Sequence, residues 1–296
     1  MIIDMFLVII LSQSLNTNFQ ATHPTFAGST SLIMLSVGIQ YMWRMSHTSA
    51  PNQKRLAKRL GILILVTSCL GFITIIPFAG YQIRFELYFI SWVIAAIGPI
   101  FMKKTLENFP TKFEHLTERY SLFTLLLFGE SVIAVATSIH VHELHWASLF
   151  FFILIVLLFS FYILTYDLGL NRKLENTAGI GLITVHYMIF IGLAFIAAPT
   201  ELYIGNELSS SCYLTITFVG LVCFFVGIIG MLFYYHKGNF NVRLTVIKAT
   251  IFALLWSLVS CFVVINVLIE MIWTVVLLTV WLFLWWKNVL GSSTYE

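Results

Sequence analysis

The chain has 296 residues, of which 59% are hydrophobic and only 10% charged, against about 25% charged residues in an average soluble domain. Its mean hydropathy of +0.94 excludes an ordinary soluble enzyme. A chain with 27 Phe, 8 Trp and 12 Tyr beside only 6 Pro and 17 Gly is not disordered either, since disorder needs low hydrophobicity. The composition is that of an integral membrane protein whose expected partner is the lipid bilayer. The net charge of +3 is spread along the chain and leaves no footprint for a nucleic acid.

Apolar runs of about 20 residues, the length that crosses a bilayer, predict ten helical spans. In chain order they fall at 1–17, 25–43, 60–79, 85–102, 119–139, 147–165, 179–198, 211–235, 244–265 and 269–287. The last two share a nearly continuous apolar run, divided near Asn266 to Glu270 because the whole is about twice a bilayer crossing. The first span holds Asp4, and it lacks the basic start and small-residue cleavage site of a secretory signal. It reads as a retained span, short or trimmed at its start.

Cytoplasmic loops should hold the Lys and Arg of such a chain. Arg44, Lys54, Arg55, Lys58 and Arg59 follow span two; Lys103, Lys104, Lys112 and Arg119 follow span four; Arg172 and Lys173 follow span six. Lys237, Arg243 and Lys248 flank the loop after span eight, Lys287 follows span ten, and only Arg84 falls in the alternate loops. One span too many or too few would invert every later loop. The expected fold class is therefore an all-α, polytopic helical bundle of about ten transmembrane helices. It forms one transmembrane domain over residues 1–296, with both termini cytoplasmic.

No phosphate-binding glycine loop, G-x-S-x-G or H-E-x-x-H is present, and no cofactor is expected. Cys69, Cys212, Cys223 and Cys261 lie in or beside apolar runs without metal-ligand spacing, and read as small buried side chains. Trp43, Trp92, Trp146, Trp285 and Trp286 fall near span ends, where aromatic belts sit; Trp256 and Trp281 read as packing residues. Arg84 and Glu86 read as a weak surface ion pair.

An ionisable group deep in a bilayer costs several kcal/mol unless it meets a partner or water, so each is a functional candidate. Glu130 is about 17 Å into span five by helical rise. Arg119 precedes it by eleven residues, hence about 20° away on the same helical face, with Phe123, Ile133, Ala134 and Thr137. Glu130 reads as an ion or proton site or, alternatively, as a hydrogen-bonded acid that fastens helices. His186 in span seven differs from it in depth by about 6 Å, and reads as a relay or a satisfied packing residue. Asp167 closes span six and Glu201 closes span seven as interfacial charges. His140, His142 and His145, with Glu143, form a dense outer loop whose imidazoles are weak metal candidates; the spacing matches no closed structural site.

Glu118-Arg119-Tyr120-Ser121-Leu122-Phe123, followed by Phe128-Gly129-Glu130-Ser131-Val132, resembles the signature of the bacterial low temperature requirement protein A family. That signature reads Glu-Arg-Phe/Tyr-x-Leu-Phe, then Leu-Gly-Glu-Ser-Val, at the same spacing. Asp4-Met5-Phe6-Leu7-Val8 with Ser12-Gln13 resembles the family's first span, Tyr166-Asp167 the end of its sixth, and His186 with Glu201 its seventh. Tyr41-Met42-Trp43-Arg44 departs from the family's Trp-rich second span, and the family's acid ahead of the first-span aromatics is missing. The resemblance implies a bacterial inner-membrane protein of about ten helices, linked by name to growth in the cold. The family name records a phenotype and supplies no reaction.

Three function classes follow. An ion- or proton-coupled transporter or ion pathway using Glu130, with His186, Arg119 and Asp4 as further site residues and a small ion or small molecule as substrate, is favoured. Carriers place ionisable groups within spans and at helix ends in this way. A structural or sensing protein would use the same acids as hydrogen bonds between helices, each worth about 1 kcal/mol. An embedded enzyme comes third, because Glu130 and His186 alone do not gather nucleophile, base and metal ligands at one depth.

Overall fold

A computed structural model describes residues 2–14, 19–106, 109, 111–137, 146–174, 177–237, 241–263 and 267–293. Among the described residues the chain is all-helical, with α1 (Ile2–Gln13), α2 (Phe19–His47), α3 (Pro51–Ile73), α4 (Tyr81–Phe101), α5 (Lys103–Leu106) and α6 (Phe113–Thr137) in its first part. There follow α7 (Trp146–Leu164), a π-helical turn (Thr165–Gly169), α8 (Ile180–Ile204), α9 (Ser210–Tyr235), α10 (Val242–Val263) and α11 (Val267–Ser293). Six of these are long and apolar enough to cross a membrane: α3, α4, α7 with its π turn, α8, α9 and α11. With no water in a bilayer core, the helix satisfies its own backbone, which is why such sequences fold this way.

The other predicted spans differ in identifiable ways. Ile2–Gln13 and the Ile247–Trp256 stretch of α10 are apolar but shorter. α2 and α6 are long, at 29 and 25 residues, but carry polar side chains. The polar residues of α2 turn inward, where Ser29 donates to the carbonyl of Thr25 at 2.8 Å, Thr30 to that of Phe26 at 2.9 Å, and Ser68 of α3 to the carbonyl of Ser31 at 2.8 Å. The first two bonds lie within α2, whereas Ser68 to Ser31 crosses between helices, and such cross-helix bonds hold helices together where lipid offers no hydrophobic drive.

The chain divides into two compact units, Met1–Phe109 and Pro110–Glu296. In the first, α2 packs closely on α3, and Thr30 and Trp92 both reach the Tyr88 hydroxyl, at 2.6 and 2.8 Å. In the second, α8 and α9 approach backbone to backbone. A Cβ on Gly192 would stand 2.7 Å from the carbonyl oxygen of Gly220 and the amide of Phe224, and one on Gly227 would stand 2.7 Å from the carbonyl of Val185. Small residues permit such approach in membrane bundles. Around this seam Leu158, Phe161, Ile189, Ile196, Phe224 and Ile228 form the fully buried core.

Several side chains sit other than expected. Cys69 and Cys212 are exposed and Cys223 half-buried, because a small apolar side chain is as compatible with a lipid-facing surface as with a core. Cys261 lies outside the described side chains. Trp285 is buried and donates to the Thr165 hydroxyl at 3.0 Å; it is a packing residue, since the π turn supplies an acceptor inside the bundle. Trp256 and Trp281 are buried as expected. Arg84 points to the carbonyl of Thr74 at 3.4 Å and Glu86 accepts from Gln82 at 3.4 Å, so these two form no ion pair.

Candidate functional site

α6 sorts its own side chains. Phe113, Thr117, Thr124, Phe128 and Ser131 recur at helical spacing and are buried against α7 and α8, whereas Arg119, Phe123, Leu126, Glu130 and Ile133 are exposed on the opposite side. Ser131 donates to the carbonyl of Leu127 at 2.7 Å. Gly129 is exposed, with open space where a Cβ would stand. Within one motif, Ser131 and Phe128 therefore serve packing, while Gly129 and Glu130 face out. Glu130 makes no hydrogen bond or ion pair with the described residues.

His186 faces the other way. It is 1% exposed, and its Nδ1 lies 2.8 Å from the carbonyl of Leu182, its Nε2 3.2 Å from the Tyr162 hydroxyl. A carbonyl only accepts, so Nδ1 carries the proton, and in the neutral ring Nε2 accepts from Tyr162. The Tyr120 ring of the Glu-Arg-Tyr segment lies 5.0 Å from the imidazole and Phe190 5.9 Å, while the Thr124 hydroxyl is within hydrogen-bonding reach of Tyr162. His186 is thus brought together with Tyr120 and Tyr162, not with Glu130.

The π turn builds a second feature. It inserts Thr165–Gly169 at the end of α7, and π turns recur at functional sites. Asn171 donates its amide to the carbonyl of Tyr235 and Lys237 its own to that of Gly169, both at 2.8 Å, which aligns the two loops side by side. The first turns of α6 are tied in by the Thr111 amide, 3.0 Å from the carbonyl of Thr177. Gly179 caps α8 at a φ of 69°, a left-handed value that favours glycine. The result is a polar cleft of about 730 Å³ lined by Glu114, Glu118, Asp167, Arg172, Lys173 and Lys237, among others. Arg172 pairs with Asp167 at 3.3 Å and lies 4.7 Å over the ring of Tyr166, and Tyr166 stacks 6.1 Å from Tyr162. One tyrosine ring therefore separates the charged cleft from the Tyr162–His186 pair.

The remaining predicted residues are elsewhere. Asp4 is half-buried on α1, within hydrogen-bonding reach of Ser36 on α2. Arg119 is exposed on α6 and Glu201 near the end of α8. His140, His142 and His145 lie outside the described residues. No group of three or more His, Cys, Asp or Glu that suits a metal occurs among the described residues.

Two buried ionisable residues escaped the sequence reading. His23 is fully buried in the first unit, with both ring nitrogens unpartnered among the described residues, inside a ring of Phe19, Tyr81, Phe85 and Tyr88 at centroid distances of 6.0, 5.6, 6.3 and 5.6 Å. It precedes predicted span two, so the hydropathy window passed over it. Glu270 is 2% exposed at the start of α11, where the sequence suggested a break between spans.

The profile of the bacterial low temperature requirement A protein matches residues 1–282. The chain belongs to the LtrA family. No curated protein and no solved structure matches it. Several residues of the segments that resemble the family signature meet in the second unit. Glu118 and Asp167 line the cleft, and Tyr120 touches His186, although 66 positions separate Tyr120 from His186 in the chain.

Proposed function

We propose that this LtrA-family protein is a multi-pass protein of the inner membrane, with ten spans and both termini cytoplasmic, that moves protons or small ions. The observation that carries the reading is the run from the charged cleft, through Tyr166, to the buried Tyr162–His186 pair. The cleft is the cytoplasmic mouth, where three acids and three bases hold water and counter-ions. Tyr162 and His186 form the buried exchange step: both can donate and accept, so a proton gained by Nε2 is met by rotation of the Tyr162 hydroxyl. Glu130 is the second site residue, on the outward face of α6, and Arg119 on that face attracts or admits ions.

The reading is tested by a flux screen in proteoliposomes over protons, potassium and small metabolites, with Glu130→Gln as the comparison. Gln keeps shape and hydrogen-bonding capacity without the titration. Loss of flux with intact expression and folding supports the reading. A structural or sensing role is favoured instead by the satisfied state of both His186 nitrogens and the backbone contact of α8 with α9. Under that role Glu130→Gln behaves as wild type.

A further inference from the structure

His23 and Arg84 are two basic side chains closed into one aromatic cluster of the first unit. Tyr81, Phe85 and Tyr88 follow one another at helical spacing on α4 and so share a face, which meets the His23 ring at interplanar angles of 87°, 63° and 83°. Arg84 stands three residues after Tyr81 and four before Tyr88, on that same face. Its Nε is buried and unbonded among the described residues, and its Nη1 lies 3.4 Å from the carbonyl of Thr74. Tyr88 is already engaged: its hydroxyl donates to Thr30, whose own proton goes to the carbonyl of Phe26, and accepts from Trp92. No acid faces the pair among the described residues. Glu86, two residues from Arg84, is exposed on the opposite side of α4 and accepts from Gln82. Asp4 of α1 sits at the level of Ser36, thirteen residues further along α2 and about 20 Å away by helical rise. In α3 the Lys and Arg are confined to residues 54–59 and Cys69 is exposed, and the 74–80 connection has no titratable side chain.

We propose that His23 is an acid-released latch, neutral where α2 and α4 close over it and, once protonated, forcing that contact open at the end next to the α3–α4 connection. A closed-in imidazolium would have neither water nor a hydrogen-bond acceptor, and it would stand beside a guanidinium with no acid to offset either charge. His23 precedes predicted span two, and burial first, then the Arg84 charge, hold its imidazole below the usual histidine value. In the opened state the ring meets water and titrates near about 6.5. The closed state therefore keeps its full stability above that pH and loses it as pH falls through about 6.5 towards the lower closed-state value. Each pH unit within that window multiplies the opening constant by up to about ten. The inference is independent of ion movement and of orientation in the membrane.

The test is hydrogen–deuterium exchange, read by mass spectrometry on the full-length protein in phosphatidylcholine nanodiscs. Wild type is compared with His23→Leu at each pH between about 5 and 7.5, the window in which a solvated histidine titrates, so that intrinsic amide chemistry and the titration of other groups cancel in the ratio of rates. Residues 19–30 and 81–92 are expected to exchange faster in wild type as pH falls, with the ratio rising about threefold to thirtyfold from pH 7 to pH 5. Residues 180–204 of the second unit should keep a constant ratio. Arg84→Gln should reduce the rise, because it relieves the imidazolium of its charged neighbour, and Arg84→Lys should keep it. His23→Phe, a ring that does not titrate, replaces His23→Leu if that variant does not elute as a folded species. A ratio unmoved by pH would overturn the proposal. So would a ratio that falls in acid, the result for an imidazolium held on the faces of the tyrosine rings. A rise shared equally by both units would overturn it too, because the loss would then be global and not a release of α2 from α4. An undiminished rise in Arg84→Gln would overturn the pairing with Arg84.

Discussion

The Tyr162 hydroxyl stands 3.2 Å from Nε2 of His186 in the core of the second unit, and that imidazole's other nitrogen is held by the carbonyl of Leu182. Two helices are joined there by a contact that carries one transferable proton. The contact makes a separable prediction for stability. Tyr162→Phe leaves a buried Nε2 without a partner and should cost about 1 to 3 kcal/mol, read by denaturant or thermal unfolding in detergent. In a double-mutant cycle with His186→Leu the double variant should cost less than the sum of the two single variants. Simple additivity would show that the pair is not coupled.

The glycine seam gives a prediction with an internal control. A side chain at Gly192 meets backbone atoms of α9 rather than flexible side chains, so Gly192→Ala should destabilise by about 1 to 3 kcal/mol through overpacking, and Gly192→Val by more. Gly129, inside the family signature, has open space around it, and Gly129→Ala should change stability by less than about 1 kcal/mol. If Gly129→Ala abolishes flux while unfolding as wild type does, the small residue beside Glu130 serves ion passage. Unfolding measured on both variants in one detergent decides the comparison.

His23 predicts the opposite sign. A buried imidazole with neither nitrogen bonded to a described residue forfeits its hydration without return, a penalty of about 1 to 3 kcal/mol. His23→Leu should therefore leave thermal stability equal or raise it. A clear loss would reveal a polar partner for His23.

The helical class, the family and the sidedness of α6 were legible in the sequence, because apolar length and the 3.6-residue period are local properties. That Arg119, Phe123, Glu130 and Ile133 share a face follows directly from that period, but its exposure does not, because the period says nothing of which face the neighbouring helices cover. The partner of His186 was not legible. Depth along two helices put Glu130 within reach, but rotation about each axis decides which side chains meet, and it turned His186 to Tyr162. The cleft was hidden for a related reason. Glu118, Asp167, Arg172 and Lys237 come from three separate segments, and a π turn with its cross-loop backbone bonds sets them beside one another. Glu270 and His23 sit where a hydropathy window ends, and such windows average over single buried polar side chains.

Topology is tested by cysteine labelling in intact cells, in a background without the native cysteines. Labels at positions 145 and 206 should react from outside and those at 52 and 240 should not, as the distribution of Lys and Arg requires. Reaction at position 52 would overturn the proposed orientation.

Proton flux into proteoliposomes, driven by a pH step between pH 5 and 8 where an unperturbed histidine titrates, is the most direct measurement of the central claim. Wild type, Glu130→Gln and His186→Gln should be compared at matched protein content and matched unfolding stability. The account predicts flux in wild type and none in either Glu130→Gln or His186→Gln. Wild-type flux in Glu130→Gln across the whole range would contradict it and leave Glu130 with a structural role.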